Sequence, residues 1–185
     1  MSSEFVALLE LLEMLVFSPR TGVLMALLVT AAVVDVRTGR IPNWLVLGGA
    51  LYGVLHFAFF PINAREVGIG FALGGLAVGL VALLPLYCMR VMGAGDVKLM
   101  AMAGAFLGPT SAVAALLATL AAGGVLAMAL TLRSGQFARM LGNVGGLTMH
   151  EGASVGKMPY AVAIAAGTIG YLVAAQLGFL GAAWS

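Results

Sequence analysis

The chain has 185 residues, of which 62% are hydrophobic and 9% charged, with a net charge of +2 and a mean hydropathy of +1.11. An ordinary soluble domain carries about 25% charged residues, so a soluble globular protein and a disordered one are both excluded. Nine Lys and Arg are too few to cover a phosphate track, which excludes nucleic acid as the main partner, and a lone cysteine, Cys88, excludes a disulfide framework and a multi-Cys zinc site.

What remains is one polytopic, all-α membrane domain over residues 1–185, with length for about six crossings of roughly 20 residues each. In chain order, Phe5–Phe17 comes first, with Glu10 and Glu13 set among leucines. It reads as an amphipathic segment lying on the membrane within residues 1–18. It has neither the basic start nor the small-residue cleavage site of a signal peptide, so it is expected to stay in the mature chain.

Charge-free runs then predict spanning helices, because a backbone facing lipid must satisfy its own hydrogen bonds. Thr21–Val34 is a short one, and Trp44–Phe60 and Val67–Met89 follow. The next charge-free stretch, Leu99–Leu132, is 34 residues long and is divided by Gly108-Pro109, since proline ends or kinks a helix. Its first piece, Val97–Leu107, has 11 residues and reaches roughly 16 Å, about half the hydrocarbon thickness. That piece is either re-entrant or set where the bilayer is thinned. Thr110–Leu132 and Tyr160–Leu180 complete the set, separated by a glycine-rich polar loop at residues 133–157. No internal repeat or second domain is visible.

If the loop after the first span is cytoplasmic and Val97–Leu107 crosses, Arg37, Arg40, Arg90, Lys98, Arg133, Arg139 and Lys157 all lie on the cytoplasmic side. Only Arg20 and Arg65 lie outside, so the positive-inside rule puts the N-terminus outside. Twenty-six glycines, five of them at positions 68, 70, 74, 75 and 79, read as small residues that let helix backbones approach closely in lipid.

Aspartate occurs twice, at Asp35 and Asp96, each against an apolar run and both on the cytoplasmic face of this topology. A carboxylate near hydrocarbon is costly and points to function. Two that meet in a poorly solvated site share a proton: one is charged and takes a proton from water, and the other is protonated and hydrogen-bonds a scissile carbonyl. Such peptide hydrolysis needs no metal and no cofactor. The plainer alternatives are an N-cap role for Asp96, which follows Gly95, and a headgroup-level pairing of Asp35 with Arg37 or Arg40.

Other polar residues carry less. Lys98 is two positions from Asp96 and faces elsewhere on a helix, so it contacts lipid phosphate or a neighbouring loop, or tunes the site at a distance. His56 reads as a helix–helix hydrogen-bonding residue, and Cys88 as a small packing residue. His150-Glu151 is too small a set for a metal site.

The sequences around the aspartates resemble the aspartic prepilin peptidases. Gly93-Ala94-Gly95-Asp96-Val97-Lys98 is similar to that family's G-x-G-D-x-K motif, and Asp35 followed by Ile41-Pro42-Asn43 is similar to its other aspartate motif. Pro159-Tyr160 is similar to the element opening its last helix. The resemblance covers about Thr21 to Leu180. It implies an aspartic endopeptidase of the prokaryotic inner membrane with Asp35 and Asp96 as catalytic pair. Gly93 and Gly95 would permit a sharp turn beside the substrate strand, and Pro42 would suit the first turn of a helix.

The implied partner, besides the lipid bilayer, is a prepilin with a short basic cytoplasmic leader ahead of a hydrophobic helix, cut at that boundary. The chain lacks the added length and Cys-x-x-Cys pairs of the methylating relatives, so cleavage without N-methylation is expected. That is the pattern of the short forms that process Flp-type pilins; archaeal preflagellin peptidases are similarly short. A reading from a different class is a small proton- or cation-coupled transporter subunit using Asp35 and Asp96, although no inverted repeat supports alternating access.

Overall fold

The computed structural model of the chain describes residues 19–59, 68–90, 92–133 and 160–176. These fold into six helices with no strand among them: α1 Pro19–Thr38, α2 Asn43–Phe59, α3 Ile69–Cys88, α4 Ala94–Leu107, α5 Pro109–Arg133 and α6 Tyr160–Gln176. The expected amphipathic segment, most of the 133–157 loop and Pro159 lie outside the described residues.

Three helices are long and apolar enough to cross a membrane, over Arg20–Thr38, Ile69–Cys88 and Pro109–Ala129. Asn43–Phe59 and Tyr160–Ala175 are shorter apolar helices. With this composition the protein is an integral membrane protein. The first helix runs 20 residues where the apolar run Thr21–Val34 suggested a shorter one. Asp35 and Arg37 end the apolar run without ending the helix. What ends it is Gly39, whose φ of 63° suits glycine and whose N–H donates to the Asp35 carbonyl at 2.7 Å.

Helix α4 is the axis of the bundle. It has 14 residues, about 21 Å at 1.5 Å each, and touches all five other helices. Eleven of its residues are buried, including an unbroken run from Leu99 to Leu107. The short segment that looked half-long for a crossing is thus enclosed by protein. Its backbone meets α3 directly: a Cβ at Gly79 would strike the backbone of Met100, and one at Gly75 would strike Gly104. Leu24, Leu28, Leu83, Met100, Met102, Phe106 and Ile164 fill the surrounding core.

The end of α4 follows from two residues. Gly108 has φ 79°, donates its N–H to the Gly104 carbonyl at 2.9 Å, and leaves no room for a Cβ beside the Phe71 ring. Pro109 then opens α5 at once, where its missing N–H costs nothing. The expected break at Gly108-Pro109 is therefore a one-residue turn between two helices.

Candidate functional site

The site forms where the C-terminal end of α1, the start of α2 and the start of α4 come together. Asp35 sits in the last turn of α1 and is half-buried. Four residues, Gly39 to Pro42, connect α1 to α2. Pro42 stands just ahead of α2 rather than within it, and its carbonyl accepts from Val46 N–H at 3.4 Å.

Asp96 lies in the first turn of α4, ahead of the apolar stretch, and is only 8% exposed. It is not the N-cap of the helix. Gly93 holds that position, and Asp96, three residues on, reaches back so that its Oδ2 accepts from the Gly93 N–H at 3.2 Å. This is one half of a capping box, a good use of an acid at a helix start. A carboxylate meant only as a cap needs no burial, however, and this one is buried.

Burial pushes the Asp96 carboxyl up to about 6, the negative charge of Asp35 adds to the rise, and the Gly93 N–H works against it. Asp35 thus stands within electrostatic reach of Asp96. The two aspartates of the chain, 61 positions apart in sequence, act on each other in the fold.

The glycines of the motif are explained by space, not by turning. Gly93 has φ −77° and ψ 152°, extended backbone open to any residue, which corrects the expectation of a sharp turn there. A Cβ on Gly93 would come 3.2 Å from Asp96 Oδ2, and one on Gly95 would come 3.3 Å from the Ile41 Cβ. Glycine lets the carboxylate fold back on the helix start and lets the α1–α2 connection lie against α4.

Lys98 is exposed and donates from Nζ to Asn43 Oδ1 at 3.1 Å. Its partner is the first residue of α2. Tyr160 opens α6, half-buried against the core. His56 lies on α2 about 20 Å of helix rise beyond Asn43, stacked on Tyr52 with ring centroids 6.0 Å apart. Cys88 is exposed, a correction to its expected packing role. Among the described residues no group of three or more His, Cys, Asp or Glu is placed to hold a metal ion.

Reasoning from sequence missed Gly39. Its signal was present: a glycine four residues after an acid at a helix end, with a proline three further on. The Lys98–Asn43 and Gly95–Ile41 contacts had no local signal, since each joins segments more than 50 residues apart.

Neither the search of curated proteins nor that of solved structures finds a match to the chain. The sequence profile of the type IV leader peptidase family matches residues 22–128. That stretch holds both aspartates, the Ile41-Pro42-Asn43 and Gly93–Lys98 motifs and all of α4, while Tyr160 lies beyond it. With more than half of its length matched, the chain belongs to the type IV leader peptidase family.

Proposed function

We propose that this protein is a prepilin leader peptidase that works through Asp35 and Asp96, cutting without N-methylation between the basic leader and the hydrophobic helix of a Flp-type prepilin. Family membership carries the coarser part, a membrane protease of type IV leader peptidase kind. One observation supports the residues: the buried Asp96 and the neighbouring Asp35, whose charge acts on it, fall on the two matched motifs.

Like charges in a desolvated place favour one shared proton, and burial favours keeping it at Asp96. In the proposed reaction Asp35, ionised, takes a proton from water as the water oxygen bonds to the scissile carbonyl carbon. Asp96 donates a hydrogen bond and then its proton to the carbonyl oxygen. The tetrahedral diol collapses as one of its hydroxyls returns a proton to Asp96, the C–N bond breaks, and the proton gained by Asp35 passes to the leaving amine. Two products leave, an acid-ended leader and an amine-ended pilin. The family context and the basic residues flanking the site support an inner-membrane protein with its N-terminus outside and its site at the cytoplasmic face.

The test is co-expression with a tagged Flp-type prepilin in membranes, following leader removal by mass. Wild type is expected to cleave, and Asp35→Asn and Asp96→Asn, at equal membrane abundance, to lose at least about 10²-fold in rate. Full cleavage by both variants would sink the aspartic mechanism.

A further inference from the structure

The α1–α2 connection and the first turn of α4 touch at two points, and both flank Asp96. Ile41 packs on Gly95, where a Cβ would come within 3.3 Å of the Ile41 Cβ. Asn43 accepts from Lys98 at 3.1 Å. Positions 95 and 98 are three apart and so share one face of the helix, while Asp96 between them points about 100° away. Ile41 and Asn43 are two apart, with Pro42 fixing the backbone between them. The spacing of each segment thus matches that of the other. Asp35 stands at the far end of the same connection, and the Gly39 N–H donates to its carbonyl.

We propose that Lys98 and Asn43 are positioning residues: with Ile41 seated on Gly95, their hydrogen bond clamps the α1–α2 connection onto α4 and so fixes the separation of Asp35 from Asp96. The role in catalysis rests on the peptidase reading above; the contact itself does not. Lys98 acts through Asn43 and not on the reacting atoms, because its side chain leaves the helix on a different face from Asp96. Asp35 sits on the helix that this connection ends, so the clamp bears on its position relative to Asp96, and an error of about 1 Å in a reacting group costs about 10²-fold.

Two measurements on the full chain in membranes test the clamp. In the first, Lys98→Met, which keeps the apolar stem, and Asn43→Ala are each expected to lower kcat on a prepilin about tenfold or more with KM nearly unchanged. The double variant is expected to lose no more than either single, and Lys98→Arg, which keeps a donor, to recover most of the rate. Losses that multiply in the double variant, a raised KM at unchanged kcat, or Lys98→Arg no better than Lys98→Met would each overturn it.

The second needs no substrate. In a Cys88→Ala chain, Ile41→Cys with Gly95→Cys is expected to form a disulfide on mild oxidation, read as the loss of two maleimide adducts by mass, because a Cβ at 95 would lie 3.3 Å from the Ile41 Cβ and a shift of a few tenths of an ångström opens the pair to the roughly 3.5–4.5 Å of a disulfide. Failure of that bond to form would overturn the contact. A disulfide formed in membranes whose wild-type enzyme cleaves no prepilin would overturn the peptidase reading and leave the contact standing.

Discussion

Gly75 of α3 and Gly104 of α4 lie back to back, so that a Cβ on either would fall on the other's carbonyl oxygen. The helix that carries Asp96 thereby meets α3 main chain to main chain at this point. Gly104→Ala is expected to lower stability by about 1–3 kcal/mol through overpacking, and to reduce cleavage as α4 shifts. Gly70, with open space around its Cα, provides the contrast: Gly70→Ala is expected to be neutral or slightly stabilising. Thermal unfolding of both variants in the same detergent checks the difference.

The pH dependence of stability follows from Asp96. Its carboxyl is raised from 3.8 to about 6, first by burial and then by Asp35. A raised value means that the folded state holds the proton more tightly than the unfolded one. Stability is therefore complete below about pH 3.8, falls as pH rises toward 6, and is lower above that by up to about 3 kcal/mol. Asp96→Asn is expected to flatten this slope and to unfold at a higher temperature than wild type at pH 8. Equal slopes for the two proteins between pH 4 and 7 would contradict the shift.

The same proton governs cleavage in the proposed reaction. Activity is expected to fall as pH rises through and beyond 6, when the pair loses its shared proton. A pH–rate profile of kcat/KM on a prepilin measures it. A rate that keeps climbing to pH 9 would argue against a protonated partner.

Gly39 sets the end of α1 beside Asp35 through its positive φ. Gly39→Ala is expected to cost about 1–2 kcal/mol and to slow cleavage, with Gly39→Asn milder because asparagine tolerates this conformation. Unfolding temperatures ordered Gly, Asn, Ala would bear this out; an alanine variant as stable as wild type would refute it.

The orientation is open to a labelling test. In a Cys88→Ala chain, Arg40→Cys is expected to react with an impermeant maleimide only when the cytoplasmic side is opened. Ala64→Cys is expected to react from intact cells. The reverse pattern would invert the topology.

Much of the fold was legible because lipid forces long apolar runs into helices, and the break at Gly108-Pro109 could be placed to the residue. The limits of α1 were less legible. A charge such as Asp35 ends a hydrophobic run, whereas only the backbone at Gly39 ends the helix. The surroundings of α4 were not legible at all, since an apolar side chain facing protein and one facing lipid have the same hydropathy. Cys88 was misjudged for that reason. The aspartates stood out because acids are rare in this chain, but the partners of Lys98 and Gly95 depend on how distant segments meet.

The enclosure of α4 by the other five helices gives the protein a fixed depth gauge. Helices at the rim answer to bilayer thickness by tilting, and what they hold inside is insulated from that adjustment. The height of Asp96 is set by neighbouring side chains and by glycine contacts, so it travels with the protein and not with the lipid. A change of acyl-chain length should therefore alter how the molecule sits in its membrane long before it alters which residues meet at its centre.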